Sequence, residues 1–78
     1  MIEKKIIELT ARASYGKLLA ILSKSTGGNL AFAEDLLSEA FVKALDNWPL
    51  SGIPKNPEGW LIKVAKNSMI DKFRHHKI

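Results

Sequence analysis

The sequence predicts an all-α fold, a compact bundle of three main helices. In three stretches the apolar residues lie on one face at the helical period, and in the first of them they do not match the alternation typical of a strand. Segments containing glycine or proline separate these stretches, at residues 26–28 and 48–55. Because 78 residues suffice for one small domain, we expect residues 1–78 to share one core.

The first helix is predicted over residues 3–24. Its apolar face consists of Ile7, Ala11, Ser14, Tyr15, Leu18, Leu19 and Leu22. Gly16 lies inside this helix at a cost of about 1 kcal/mol relative to alanine, so we expect a close helix crossing there. Gly27 is placed to end the helix in the left-handed conformation, and Asn29 to cap the next one. The short connection predicts an antiparallel pair.

The second helix is predicted over residues 30–47, with a compact apolar stripe that should face the core. The stripe consists of Leu30, Ala33, Leu36, Leu37, Ala40, Phe41, Ala44, Leu45 and Trp48. Opposite it lie Asp35, Glu39 and Asp46, and the apolar Phe32 and Val42 lie between these carboxylates. This surface is interpreted as a protein-binding face, although isolated apolar residues also occur on purely solvated surfaces.

Residues 48–55, WPLSGIPK, contain two prolines and a glycine, and we expect them to form an ordered loop rather than to continue the helix. Trp48, Leu50 and Ile53 are predicted to hold this loop against the core.

The third helix is predicted to begin after Asn56, a favourable N-cap, with Pro57 at the first helical position and Glu58 near the positive end of the helix dipole. At about 100° per residue the packed arc consists of Trp60, Leu61, Val64, Ala65, Ser68, Met69 and Phe73. The opposite arc consists of Lys63, Lys66, Asn67, Ile70 and Arg74. One face therefore packs, and the other is basic and carries an amide.

The net charge of +4 is unevenly distributed along the chain. Basic residues dominate segments 1–29 and 48–78, whereas segment 30–47 has four acidic residues and one basic residue. Two surfaces of opposite sign, and hence two different partners, are one interpretation; ordinary solvated faces are the other.

The chain has no cysteine, which fits a reducing compartment, and it has neither a signal-peptide pattern nor an apolar run long enough to span a membrane. A cytoplasmic protein that does not engage membranes is the expectation. We predict no catalytic residues, no metal site and no cofactor. His75 and His76 are neighbours that point about 100° apart on a helix and so cannot share a metal.

Two segments together resemble a known family. AEDLLSEAFVKALDNWP resembles the acidic second helix of the sigma-70 family of RNA polymerase sigma factors. NPEGWLIKVAKNSMIDKFR resembles the tryptophan-leucine, alanine-basic-asparagine and Asp-x-x-Arg pattern of the small extracytoplasmic-function (ECF) members. The likeness covers residues 11–74 and corresponds to sigma region 2, which implies a non-catalytic role in transcription initiation.

The resemblance implies roles for individual residues. Contact with the coiled coil of the polymerase β′ subunit is implied for Asp35, Leu36, Glu39 and Val42. Contact with the promoter minus-ten element, which the domain helps to melt, is implied for Lys63, Lys66, Asn67 and Arg74. Capture of a flipped base of the single-stranded non-template DNA is implied for the loop at residues 48–56, with Ser51, Gly52, Lys55 and Asn56 as its candidate residues.

An anti-sigma factor is a further partner that the resemblance implies. The helical wheel favours core packing for Trp60 over base stacking. A complete ECF sigma factor also has a C-terminal domain that recognises the minus-thirty-five element, and this chain ends before any such segment.

The alternative function is a small helical protein-interaction module that uses the Phe32 and Val42 face and does not bind nucleic acid. A duplex-binding helix-turn-helix protein is a further alternative, but the predicted loop exceeds its usual turn of about three to four residues.

Overall fold

The predicted all-α class is confirmed by the structure, a computed structural model that describes residues 2–76 and the side chains as far as Arg74. Helix α1 comprises Ile2–Ser25, α2 comprises Leu30–Ser51 and α3 comprises Pro57–His76. Each helix packs against the other two, and the bundle measures 40 × 25 × 17 Å. Within residues 2–76, no helix combines the length and the apolar character that a membrane span requires.

The turn between α1 and α2 has the predicted chemistry. The Gly28 N–H donates to the Ser23 carbonyl at 2.7 Å, and the Gly27 N–H donates to the Lys24 carbonyl at 3.2 Å. This pair of bonds is a Schellman stop, and Gly27 adopts the positive φ of 69° that it requires. The Asn29 side chain then accepts the Phe32 N–H at 3.1 Å, which caps α2.

Helix α2 is longer than predicted, because it continues through Pro49 to Ser51. A proline removes one helical hydrogen bond, but other bonds complete this last turn. The Gly52 N–H donates to the Trp48 carbonyl at 2.9 Å, and the Ser51 hydroxyl donates to the Asn47 carbonyl at 2.9 Å. The helix ends at Gly52, whose φ is 90°, so the connection to α3 comprises only residues 52–56.

The start of α3 is confirmed as predicted. Pro57 is the first helical residue, and the Asn56 side-chain oxygen accepts the Gly59 N–H at 3.0 Å. Gly59 lies directly beneath this cap: a Cβ at that position would come within 2.7 Å of the Asn56 amide nitrogen. A side chain at position 59 would therefore displace the Asn56 amide from its place in the cap.

The core contains residues from all three helices. Its buried apolar members are Ile7, Leu18, Leu22, Ala33, Leu36, Leu37, Ala40, Ala44, Trp48, Leu61 and Ala65. Leu30, Leu45 and Leu50 were predicted to pack but are exposed. The close crossing expected at Gly16 is also wrong, because a Cβ there would have no neighbour within 4 Å. The buried stripe of α2 is thus narrower than the helical wheel predicted, since Leu30 and Leu45 lie outside it.

Aromatic pairs fix α3 against α2 at both ends. The Trp48 and Trp60 rings meet edge to face with centroids 5.2 Å apart, which confirms the packing role predicted for Trp60. The Phe32 and Phe73 rings meet in the same way at 6.1 Å. Since residue 32 lies near 73 and residue 48 near 60, α2 and α3 run antiparallel.

Candidate functional site

The outward side of α2 is an acidic ridge, which we define as Asp35, Glu39, Val42 and Asp46. These positions follow the helical period and lie opposite the buried stripe. Val42 is 56% exposed and lies on the same face as the three carboxylates, between Glu39 and Asp46 along the helix. An exposed apolar side chain in a line of acids suits contact with a partner of opposite charge.

Glu39 differs from the other acids of the ridge, because it also pairs within the domain. Its carboxylate lies 2.9 Å from the Lys72 ammonium of α3, and both side chains remain more than 40% exposed. Next to this pair, the Lys43 ammonium donates to the Ser68 hydroxyl at 3.3 Å. Glu39 therefore lies at the border between the ridge and α3.

Two residues expected to contribute to protein binding lie elsewhere. Leu36 is fully buried in the core, so its side chain cannot contact a partner in this conformation. The helical wheel had already placed Leu36 in the core-facing stripe of α2, and its burial agrees with a packing role rather than a surface role. Phe32 is half-buried against the core and against Phe73, so it belongs to the α2–α3 contact rather than to an open face.

The outward side of α3 is a basic strip, which we define as Lys63, Lys66, Asn67, Ile70 and Arg74. All five side chains are exposed, and Ile70 remains 45% accessible at the centre. Residues three and four apart on a helix have Cβ atoms about 5–6 Å apart, so these side chains form one continuous surface. The predicted grouping of these residues on one face is confirmed.

The loop that carries the candidate base-capture residues is short and tied at both ends. Ser51 belongs to α2, and its hydroxyl is engaged by Asn47. Asn56 uses its side-chain oxygen as the cap of α3, which leaves its amide N–H groups as donors. Lys55 and Gly52 are exposed between these two ends.

A polar cluster that the sequence did not predict joins α1 to the start of α3. The Glu58 carboxylate accepts a hydrogen bond from the Ser14 hydroxyl and another, at 3.1 Å, from the Lys17 ammonium. The Ser14 bond, followed by that of Lys17, lowers the pKa of Glu58 from its ordinary value. Ser14 is buried although it lies in the apolar period of α1, and that position was the available signal that it has a polar partner.

Metal-ligand geometry is not found in the described part of the chain, where no three His, Cys, Asp or Glu residues are grouped to hold an ion. The side chains of His75 and His76 lie outside the described residues.

Comparison with known protein families identifies the family to which this chain belongs. The model of the family described as sigma-70 region 2 matches residues 11–78. The chain therefore belongs to the sigma-70 region 2 family, a family of transcription-initiation domains rather than of catalysts.

A relative is found among curated proteins. The chain is 52% identical over 46 residues to the uncharacterized protein R00370 of Rhizobium meliloti (strain 1021). The match covers 59% of this chain and 11% of that protein, so the matched part spans about a tenth of the length of the relative. No solved structure matches the chain.

Proposed function

We propose that this chain is region 2 of an ECF sigma factor that acts in the bacterial cytoplasm, binds RNA polymerase core, and recognises and helps to melt the promoter minus-ten element. The observation that carries the proposal is that one small fold presents two surfaces of opposite charge on different helices. The acidic ridge lies on α2, and the basic strip lies on α3. A domain with these two surfaces can hold a basic protein element and DNA at the same time.

The acidic ridge is the proposed contact with the coiled coil of the β′ subunit. Asp35 and Glu39 attract and orient a basic helix pair, and Val42, one turn after Glu39, supplies apolar contact. Leu36 is fully buried in the core, so the proposal assigns it no direct contact with the partner. An anti-sigma factor is a further proposed partner, and it would inhibit initiation if it covered the same ridge.

The basic strip is the proposed contact with the minus-ten element. Lys63, Lys66 and Arg74 attract phosphates of any sequence in a salt-dependent way. Asn67 is the one side chain of the strip that both donates and accepts hydrogen bonds, so it is the proposed reader of a base edge. In this proposal the three cations attract the DNA backbone, and the amide recognises a base.

The end of α2 at Ser51 and the connection at residues 52–56 are the proposed site for a flipped base of the non-template strand. Flipping costs a few kcal/mol of unstacking, which contacts in the loop must offset. Lys55 is available for a phosphate, and Gly52 leaves room for close approach of the backbone. Asn56 offers donors from its amide nitrogen, and Ser51 can accept through its oxygen while its hydroxyl hydrogen stays on Asn47.

The DNA part of the proposal is tested by binding of fork-junction DNA to the polymerase complex over a panel of single-base changes. Lys63→Ala should weaken binding to every sequence similarly and reduce the salt slope by roughly one unit or less. Asn67→Ala should instead relax the preference for bases at the upstream edge of the element, by about 1 to 3 kcal/mol. Equal losses on all sequences for Asn67→Ala would show that it positions the helix and reads no base.

The polymerase part is tested by pull-down with the isolated β′ coiled coil. Asp35→Lys should reduce capture through like-charge repulsion and leave the helical content unchanged, because Asp35 is exposed. Glu39→Lys should also reduce capture, with a small loss of stability because its pair with Lys72 is lost. Unchanged capture by both variants would place the interface elsewhere. Capture of the coiled coil without any DNA binding would favour the interaction-module alternative.

A further inference from the structure

Helix α1 has an outer face that the fold does not use. We call it the α1 seam and define it as Ile2, Leu9, Ala13, Gly16 and Ala20, all of which are exposed. Ile2 is 72% and Leu9 53% accessible. On the helical wheel the seam lies opposite Leu18 and Leu22, which α1 buries in the core. Neither α2 nor α3 covers these side chains.

The spacing of the seam is that of a helix that packs against another helix. Leu9, Ala13, Gly16 and Ala20 follow each other at intervals of four, three and four, and Ile2 lies seven residues before Leu9. Such a heptad pattern forms the contact line of a coiled coil. Gly16 weakens an isolated helix, and a Cβ there would meet nothing within the domain, so the fold gives no reason for it. Close approach of a second helix gives one.

The charges beside the seam indicate the partner. Lys5 and Arg12 lie along one edge and Lys17 and Lys24 along the other, and all four are exposed. Arg12 and Lys17 pair with Glu8 and Glu58, whereas Lys5 and Lys24 have no salt bridge among the described residues. Two α1 helices from two copies would bring these basic edges together and repel. A helix with acidic edges would be attracted instead.

A groove extends the seam towards α3. Leu9 and Ala13 form one wall of an open cavity of about 350 Å³, and Pro57 and Glu58 form the other. A helix lying along the seam would place one of its side chains over this cavity. The surface therefore has both a contact line and a recess for a larger side chain.

We propose that the α1 seam docks a single amphipathic helix of a partner protein, whose apolar line is flanked by aspartate and glutamate. The family match begins at Ala11, so membership of the family assigns no role to Ile2 and Leu9. The acidic ridge and the basic strip lie on other helices, and the proposed coiled coil of polymerase is basic. This partner is therefore a different one, and the proposal does not depend on polymerase or DNA binding.

The test uses two synthetic helical peptides of about three heptads with the same leucine and alanine contact line. One has glutamate and the other lysine at the flanking positions, and each is titrated with the 78-residue chain by fluorescence anisotropy. The glutamate peptide should bind about tenfold more tightly at low salt, because several exposed charge pairs act together, and the difference should shrink as salt rises. Equal affinities for the two peptides would overturn the proposal.

Variants locate the binding on the seam. Gly16→Leu should abolish binding of the glutamate peptide by blocking close approach, whereas Gly16→Ala should retain it; circular dichroism checks that both remain helical. Ala20→Glu should reverse the preference between the two peptides, and the matched control Ala31→Glu, at an exposed position of α2, should not. Unchanged binding by Gly16→Leu would overturn the proposal. Self-association of the chain that Gly16→Leu removes would also overturn it, in favour of a second copy as the occupant.

Discussion

The two ends of α3 are held in different ways. Near its N-terminus, Trp60 packs on the buried Trp48 of α2, and Glu58 binds Ser14 and Lys17 of α1. Near its C-terminus, the aromatic contact and the ion pair found among the described side chains are both with α2, through the half-exposed Phe73 and the partly exposed pair Lys72 and Glu39. The N-terminal end is thus anchored on two helices. The end that carries most of the basic strip depends on contacts that water reaches, so its residues can change with less effect on folding.

The largest difference between the two ends should come from truncating one aromatic residue at each. Trp48→Ala should reduce the free energy of unfolding by about 3–5 kcal/mol, because it leaves a cavity in the core. Phe73→Ala should cost about 1 kcal/mol, since half of the side chain is already in water. Urea denaturation followed by circular dichroism measures both. Similar losses for the two variants would contradict the difference in anchoring.

A second comparison extends the argument to the inner and outer sides of α2. Leu36→Ala should cost about 2–5 kcal/mol because the side chain is fully buried. Val42→Ala, on the acidic ridge, should change stability by only about 0.5 kcal/mol or less. Thermal melts of the two variants, together with pull-down by the β′ coiled coil, should separate the residue that maintains the fold from the one proposed to contact the partner. A wild-type-like melting temperature for Leu36→Ala would contradict its place in the core.

The polar cluster of Glu58, Ser14 and Lys17 at the N-terminal end of α3 should make the stability of the domain depend on pH. Because the folded-state pKa of Glu58 is lowered, its contribution is present above the unfolded-state value near 4.5 and is lost as the pH falls through the folded-state value. Glu58→Gln should therefore melt below the wild type at neutral pH, and the gap should close in acid. Melting temperatures between neutral and acidic pH measure it, with the exposed Glu34→Gln as the control. A gap that stays constant with pH would contradict the lowered pKa.

The smallest effect is expected for the ion pair at the C-terminal end. A double-mutant cycle with Glu39→Gln and Lys72→Met should give a coupling free energy of about 0–1 kcal/mol, because more than 40% of each side chain is in contact with water. Raising the salt concentration should reduce the coupling further. A coupling that is larger and insensitive to salt would show that this end is anchored as firmly as the other.

Local signals in the sequence predicted much of the fold. Gly27, Asn29 and Asn56 were assigned correctly because caps and turns depend on a few neighbouring residues. The predicted end of α2 at residue 47 was wrong. Pro49 was expected to stop the helix, but the buried Trp48 and the hydrogen bonds donated by Ser51 and Gly52 stabilise one more turn.

The candidate sites were less predictable, because they depend on contacts between helices. A helical wheel shows which residues share a face but not how much of that face a neighbouring helix covers. Phe32 was therefore placed on an open surface although Phe73 lies against it, and the bond between Ser14 and Glu58 was missed because it joins residues that are 44 positions apart. The exposure of the basic strip on one face was predicted correctly, because neither α1 nor α2 packs on these five positions.

The contact between Asn56 and Gly59 has a consequence for the sequences that this fold can accept. Since a side chain at position 59 would displace the Asn56 amide, these two positions should behave as one site in a mutational scan. Alanine at 59 is ordinarily favourable in a helix, but here it should forfeit the benefit of the cap. Once Asn56 has been replaced by a smaller residue, the same alanine should become acceptable. The residue at position 56 therefore decides which residues position 59 can accept, and the reverse also holds.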